Sequence, residues 1–145
     1  MSTRPKVTQR FFFYGTLQGQ RYAGLVYRSP AFVDNCKLVT ANGFPAAILN
    51  DIGVLKGEIV EIKGTKRYIK DLILNFDMWE TNHNNDPKTS FYLRTNVQVR
   101  LPSNRMTEAL MYYINLNGQY NKYIDFDDVI PNGDWLAHIK PRRKV

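Results

Sequence analysis

One carboxylate lies on the apolar side of the helix that the sequence predicts most clearly. The apolar face of this helix, residues 65–80, is formed by Ile69, Leu72, Ile73 and Phe76. Glu80 follows Phe76 by four residues and therefore falls on the same face. Burial and the negative end of the helix dipole both disfavour an ionised carboxyl group, so both raise its pKa. Such a group suits general acid/base catalysis near neutral pH, although a glutamate in a last helical turn can also simply reach solvent.

A run of four aromatic residues ends abruptly at a glycine. Residues 10–15, RFFFYG, predict a short strand buried on both faces. Gly15 lets the chain turn sharply and lets a ligand approach the backbone. The next two backbone N–H groups, of Thr16 and Leu17, are candidates for binding an anion or a carbonyl oxygen. The same pattern is also typical of an ordinary turn after a core strand.

Other residues whose side chains could take part in catalysis or metal binding have weaker support from the sequence. Asp77 is predicted on the polar flank of the helix, as a solvated or capping acid. Glu58, beside a glycine in a predicted strand, is the second acid to test, with a hydrogen-bond acceptor role as the alternative. The two histidines, His83 and His138, are isolated in the sequence and predicted at the surface, so no metal site is expected. Cys36 has no partner cysteine and is predicted in the core.

The elements that must position these residues are mostly strands. Alternation and β-branched or aromatic content predict strands at residues 10–15, 54–62, 90–101 and 108–115. Strands with one apolar and one polar side indicate an antiparallel or mixed sheet. The helix at 65–80 is followed by ten polar residues, 81–90, which predict a loop without buried side chains.

Length and charge limit the class of protein. The 145 residues, 43% of them apolar, suit one globular domain at 10–136, between basic tails at 1–9 and 137–145. The three cationic residues of 1–10 and the four of 137–145 account for the whole net charge of +7. The body is therefore neutral, which makes nucleic acid an improbable partner and leaves open only a weak phosphate contact by the tails. A single cysteine and no long apolar run indicate a cytoplasmic protein without a membrane partner.

Six short motifs, in order along residues 10–136, carry a family resemblance. They are FFFYGTL, GFPAAIL, LKGEIVEI, FDMWETN, FYLRTNVQV and NGDW. Together they resemble the gamma-glutamylcyclotransferase-like family, whose signature is a buried strand followed by Tyr-Gly-Ser/Thr-Leu. The glycine that usually follows the family's catalytic glutamate is Thr81 in this chain.

The resemblance implies an α+β fold, a small mixed β-barrel with flanking helices and a pocket at one end. It implies that Tyr14, Gly15, Thr16 and Leu17 form the substrate loop. It further implies that Glu80 is the catalytic acid/base, that Tyr92 lines the pocket and that Arg94 is structural.

The resemblance also implies an activity, the release of 5-oxoproline from a small gamma-glutamyl amine or peptide without metal or cofactor. Two other classes stay open. One is a catalytically silent relative that uses the pocket to hold a small metabolite or nucleotide, and the other is a protein-interaction domain that acts through its tails. The sequence does not identify the amine half of the substrate or the oligomeric state.

Overall fold

Six strands form one mixed sheet in the computed structural model, which describes residues 5–139. The elements, in chain order, are β1 (Lys6–Phe13), β2 (Leu25–Ala41), β3 (Phe44–Thr65), α1 (Lys66–Trp79), β4 (Tyr92–Arg100), β5 (Met106–Ile114), β6 (Ile124–Asp125) and α2 (Trp135–Ile139). Two short 3-10 helices, Asn121–Tyr123 and Pro131–Gly133, flank β6 in the sequence. Within this described range, neither α-helix is long and apolar enough to cross a membrane.

The sheet closes on itself. Its strands follow the order β3, β1, β5, β4, β2, and β2 also pairs with β3, so five strands form a ring and β6 extends it beside β2. The pairing of β1 with β5 is parallel, whereas the pairings of β1 with β3, β2 with β3 and β4 with β5 are antiparallel. The predicted α+β class, with a mixed sheet and flanking helices, is confirmed.

The aromatic run of β1 is buried because both faces of this strand are covered. Phe11 and Phe13 point to the side of α1, where the ring of Phe11 meets that of Phe76 edge-on at 5.2 Å. Phe12 and Tyr14 belong to a second apolar cluster on the opposite face, together with Cys36. Alternation along a strand sends successive side chains to opposite faces, so four consecutive aromatic residues supply two cores.

The long hairpin of β2 and β3 is the main difference from the sequence-based prediction. β2 was not predicted, and β3 covers Phe44–Thr65 instead of 54–62. Asn42 and Gly43 join the two strands with φ angles of 52° and 82°. Two consecutive positive φ values are the requirement of the type I′ turn, which Asn-Gly satisfies best.

The predicted domain boundaries need correction at both ends. Lys6 to Gln9 were assigned to a tail, but they belong to β1 and pair with β3, with Lys6 opposite Thr65. Residues 137–139 were assigned to the second tail, but they lie in α2, which begins at the buried Trp135. The remainder of both predicted tails, residues 1–4 and 140–145, lies outside the described residues.

Candidate active site

Helix α1 places the candidate carboxylate in the wall of a cavity. Thr65 begins the helix as its N-cap, since its hydroxyl oxygen accepts a hydrogen bond from the Tyr68 N–H at 3.1 Å. At the other end Glu80 is the C-cap, and its N–H donates to the Phe76 carbonyl at 2.9 Å. The last turn is thus closed at Glu80, and the chain leaves the helix there.

The cavity has a volume of about 580 Å³. All six residues that the sequence singled out for the site line it. They are Tyr14, Gly15, Thr16, Leu17, Glu80 and Tyr92. They come from the loop directly after β1, the end of α1 and the start of β4, so the fold brings together three segments that are separated in the sequence.

Among the described residues that line the cavity, Glu80 is the only one with a carboxyl side chain. Burial raises its pKa from the ordinary 4.5 to about 7. No described residue pairs with its side chain through a hydrogen bond or an ion pair. Near neutral pH the carboxyl group is therefore divided between its two protonation states, which allows it both to accept and to donate a proton.

Two tyrosines beside Glu80 are held by backbone groups of β3. The Tyr92 hydroxyl donates to the Pro45 carbonyl at 2.6 Å, and the Tyr14 hydroxyl oxygen accepts from the Ala47 N–H at 3.4 Å. Burial raises the pKa of both phenols, and the negative charge of Glu80 adds to the effect. Both side chains therefore stay neutral near pH 7, and the hydrogen bonds to β3 hold them beside Glu80.

The loop after β1 lines the cavity and contains backbone donors without a partner in the described part of the chain. The N–H groups of Gly15, Thr16 and Leu17 have no acceptor among residues 5–139. A Cβ added to Gly15 would lie 3.0 Å from Cγ of Pro45, so this position tolerates little beyond a hydrogen atom. Free N–H groups at the edge of a cavity are suited to stabilising a developing oxyanion.

Glu58 fixes the far end of this loop and does not line the cavity. Its Oε1 accepts from the Gly19 N–H at 2.7 Å, and its Oε2 lies 3.2 Å from Nε of Arg28. The structure therefore favours the predicted role of hydrogen-bond acceptor over that of a second catalytic acid.

The prediction for Asp77 is wrong. Its side chain is buried, and one oxygen, Oδ1, accepts hydrogen bonds from Nε of Arg94 at 3.0 Å and from the Tyr112 hydroxyl at 2.5 Å. A charged partner and a hydroxyl donor offset the cost of burying the carboxylate. These contacts attach the last turn of α1 to β4 and β5, and they give Arg94 the structural role that the family resemblance implied.

The polar loop at 81–90 is also more ordered than predicted. Asn82 is buried and donates to the Tyr92 carbonyl at 3.0 Å, while its Oδ1 accepts from the Asn85 N–H at 2.8 Å. Ser90 is fully buried, and its hydroxyl accepts from the His83 N–H at 2.9 Å. In this loop, asparagine and serine side chains form hydrogen bonds with backbone groups that have no partner in a helix or sheet. Some residues of this polar segment can therefore be buried.

Thr81 adopts a conformation that favours glycine. Its φ is 49°, in the left-handed region that a β-branched residue rarely occupies. This backbone is held on both sides, because the Thr81 N–H donates to Met78 and its carbonyl accepts from Phe91 at 2.8 Å. The glycine usual at this position in the related family fits the same geometry without strain.

Replacing Thr81 with asparagine is expected to raise the free energy of unfolding by about 1 kcal/mol, because asparagine tolerates left-handed φ and an L-residue otherwise loses roughly 1–2 kcal/mol there. Urea denaturation of both proteins measures the change. Thr81→Ala is the control, since it removes the branch but keeps a Cβ in the strained region. An equal gain in the alanine variant would show that φ is not the cause.

Part of the cavity wall consists of residues that were not identified from the sequence. The residues missed are Asn42, Phe44, Pro45, Trp79, Phe91, Tyr112, Tyr120 and Tyr123. Asn42 lies in the turn of the β2–β3 hairpin and Phe44 directly follows the turn; the Asn42 N–H donates to the Tyr123 carbonyl at 2.9 Å. The Asn-Gly pair at 42–43 was the signal that could have placed this hairpin and its tip.

The remaining residues named from the sequence lie away from the cavity. His83 and His138 are exposed, and Cys36 is fully buried in the second apolar cluster. Within residues 5–139, no group of three or more histidine, cysteine or acidic side chains is arranged to hold a metal ion.

Solved structures with this fold include cyclotransferases. YkqA from Bacillus subtilis aligns with a TM-score of 0.59 and 22% identity over 91% of this chain, which corresponds to only 41% of YkqA. An AIG2-like protein from Mus musculus aligns with a TM-score of 0.57 and 18% identity, over 95% of this chain and 99% of its own. A gamma-glutamyl cyclotransferase specific to glutathione from yeast aligns with a TM-score of 0.59 and 11% identity, over 90% and 83% of the two chains.

At these identities the structural matches establish the fold alone, and no curated protein sequence matches the chain significantly. The family model described as "Gamma-glutamyl cyclotransferase, AIG2-like" matches residues 11–137, nearly the entire chain. The protein therefore belongs to the gamma-glutamyl cyclotransferase, AIG2-like family.

Proposed function

We propose that this protein releases 5-oxoproline from a small gamma-glutamyl amine or peptide, with Glu80 as the general acid/base. The observation that carries the proposal is the position of Glu80: a half-buried carboxyl group, without a partner among residues 5–139, shares one cavity with the Tyr14–Leu17 loop. The alternative, a silent relative that only holds a metabolite, gives no reason to keep an unpaired acid where burial disfavours its charge.

The proposed reaction is an intramolecular acyl transfer. The α-nitrogen of the gamma-glutamyl group forms a bond to the γ-carbon, and the bond from that carbon to the amine half breaks. Glu80 takes one proton from the α-ammonium group and returns one to the leaving nitrogen, so it ends in its initial state. The attacking nitrogen loses its second proton to water as the ring amide forms, and the released amine takes up a proton from water. The cavity has to hold the two ends of the glutamyl group close together, and such proximity can supply a large part of the rate enhancement.

The free N–H groups of the loop have a matching role in this proposal. The γ-carbonyl oxygen becomes negatively charged as the ring closes, and donors at Gly15, Thr16 and Leu17 are available to bind it. The proposed steps require no metal ion, because proton transfer and oxyanion binding are both supplied by residues of this chain.

Measuring 5-oxoproline by mass spectrometry, with a panel of gamma-glutamyl amines and dipeptides between pH 5 and pH 9, tests the proposal. We expect product, and we expect kcat/KM to fall as the pH drops below about 7, since only ionised Glu80 can accept the proton. The absence of product from every compound would contradict the proposal and favour the metabolite-binding alternative. A rate that does not change between pH 5 and pH 9 would contradict the role of Glu80.

A further inference from the structure

The cavity is lined mainly by aromatic rings. Of the seventeen lining residues within 5–139, ten are phenylalanine, tyrosine or tryptophan, Glu80 is the single charged one, and none is lysine, arginine or histidine. At about 580 Å³ the cavity falls in the range that accommodates drug-sized ligands. The space is larger than a gamma-glutamyl group alone requires. The lining residues farther from Glu80 are therefore available to contact the amine half of the substrate.

The rings form a continuous wall from the surface to the carboxylate. The ring centroids are 6.4 Å apart between Tyr123 and Tyr120, 5.4 Å between Tyr120 and Phe91, and 4.9 Å between Phe91 and Tyr92. Tyr123 is 42% exposed, whereas Tyr92 is 8% exposed and lies beside Glu80. The spacings are those of favourable aromatic pairs. A ligand that extends from Tyr123 to Glu80 can therefore contact aromatic rings along its whole length.

Large apolar side chains remain exposed at the mouth. Trp79 is 80% exposed and Phe44 is 58% exposed, although both line the cavity. Exposed apolar residues clustered at a cavity are typical of a binding site, whereas scattered ones need no explanation. A flat, apolar group entering the mouth would cover these rings and remove them from water.

The charges in and around the cavity further restrict which amine half can bind there. A carboxylate on the amine half would lose its hydration among rings, without a cation among the described lining residues to replace the lost water. A cationic group would compete with Lys122 for the Tyr123 ring, because Nζ of Lys122 already lies over that ring, 5.4 Å from its centroid. An uncharged group avoids both costs.

We infer that the preferred substrate of this cavity is a gamma-glutamyl amide of an uncharged aromatic amine, with the aromatic ring against the wall formed by Tyr123, Tyr120 and Phe91. The inference rests on the proposed function, because it assigns the gamma-glutamyl end to the surroundings of Glu80. It adds the chemical class of the leaving amine, which the family membership does not specify.

Four compounds that differ only in the amine half test the inference. They are the gamma-glutamyl amides of phenethylamine (neutral, aromatic), phenylalanine (the same ring with a carboxylate), cadaverine (cationic) and ethylamine (small). We expect kcat/KM for the phenethylamide to exceed that of each of the others at least about tenfold. A higher value for any of the other three would overturn the inference and leave the proposed function intact.

Two variants test the contact with the aromatic ring, one at the mouth and one in the wall. Phe44→Ala and Tyr120→Ala are expected to lower kcat/KM for the phenethylamide about 3- to 10-fold more than kcat/KM for the ethylamide. Phe126→Ala is the matched control, since Phe126 is 52% exposed but does not line the cavity. Equal losses with both substrates would contradict a specific contact with the ring.

Calorimetric titration of Glu80→Gln with the same four compounds keeps the inference testable without turnover. The phenethylamide should again bind at least about tenfold more tightly than the others. If no compound yields 5-oxoproline with the parent protein but this order of binding holds, the proposed function fails and the preference for an uncharged aromatic group stands. Equal binding of all four would overturn the inference.

Discussion

Glu80→Gln is expected to abolish 5-oxoproline release and, at pH 8, to make the protein more stable. Glutamine has nearly the shape of glutamate but cannot accept the substrate's proton, and general acid/base catalysis contributes about 10²–10⁴-fold. Because one group serves both proton transfers in the proposed reaction, we expect a loss at the upper end of this range, about 10³-fold or more. Mass-spectrometric detection of 5-oxoproline measures it.

The gain in stability follows from the raised pKa of Glu80. Its pKa is about 7 in the folded protein and 4.5 ordinarily, so the folded state favours the protonated form. Below pH 4.5 the group is protonated in both states, and its contribution to folding is fully present. That contribution is lost as the pH rises from about 4.5 through about 7, by up to about 3 kcal/mol at 1.36 kcal/mol per pKa unit.

Glutamine cannot ionise, so the variant avoids this loss. We expect the free energy of unfolding of Glu80→Gln to exceed that of the parent by about 1–2 kcal/mol at pH 8, and by a clearly smaller amount at pH 5. Urea denaturation at both pH values measures the difference. The matched control is Glu61→Gln on β3, whose carboxylate is 26% exposed, lies 3.6 Å from Nε of Arg10 and does not line the cavity.

Two outcomes would distinguish the catalytic role of Glu80 from the effect of its raised pKa on stability. Retained activity in Glu80→Gln would remove this residue from the proposed mechanism. A variant that is inactive but no more stable at pH 8 than at pH 5, relative to the parent, would mean that the carboxylate is better solvated than its position implies. The control is expected to change neither activity nor the dependence of stability on pH.

The residues of the site that could be predicted are those with a local signal. Glu80 continues an apolar stripe at helical spacing, and Gly15 ends a strand, so periodicity and turn chemistry are sufficient to single them out. Asp77 shows the limit of this reasoning. Its partners Arg94 and Tyr112 lie on β4 and β5, and the helical pattern contains no information on contacts with distant strands.

Strand β2 was missed for a related physical reason. It has register irregularities between Leu25 and Tyr27 and between Asp34 and Cys36, and Asn35 has a φ of 52°. Each irregularity shifts the phase of the alternation, so a 17-residue strand shows no continuous period of two. The rings of Tyr120 and Tyr123 were missed because they lie in an irregular segment, where no period connects a residue with the face it occupies.

Asp77→Ala is expected to cost about 3 kcal/mol of unfolding free energy, the largest loss among the variants considered. The substitution leaves the partly buried Arg94 without its carboxylate and removes the acceptor at 2.5 Å from the buried Tyr112 hydroxyl. Breaking a buried pair from one side costs about 3–5 kcal/mol, and the partial exposure of Arg94 favours the lower end. Asp77→Asn keeps an acceptor for Tyr112, so we expect about half the loss.

The exposed pair of Asp34 and Arg100 provides the matched control. Its geometry is as good, with two guanidinium nitrogens of Arg100 within 3.3 Å of the carboxylate, but the Asp34 side chain is 42% exposed. An exposed ion pair contributes at most about 1 kcal/mol, so Asp34→Ala should cost far less than Asp77→Ala. Equal losses in urea denaturation would mean that burial does not set the value of the Asp77 contact.

The Asp77 contact also bears on activity, because it fixes the helical turn from which Glu80 enters the cavity. Asp77 holds α1 to β4 and β5 three residues before Glu80, and its carbonyl accepts from the Asn82 N–H at 2.8 Å, just beyond Glu80. Asp77→Ala should therefore lower kcat at least about tenfold, since small displacements of a catalytic group are costly. If Asp77 acts only by positioning Glu80, the pH profile of the residual activity keeps its fall below about pH 7, whereas a profile without this fall would assign Asp77 a direct part in proton transfer.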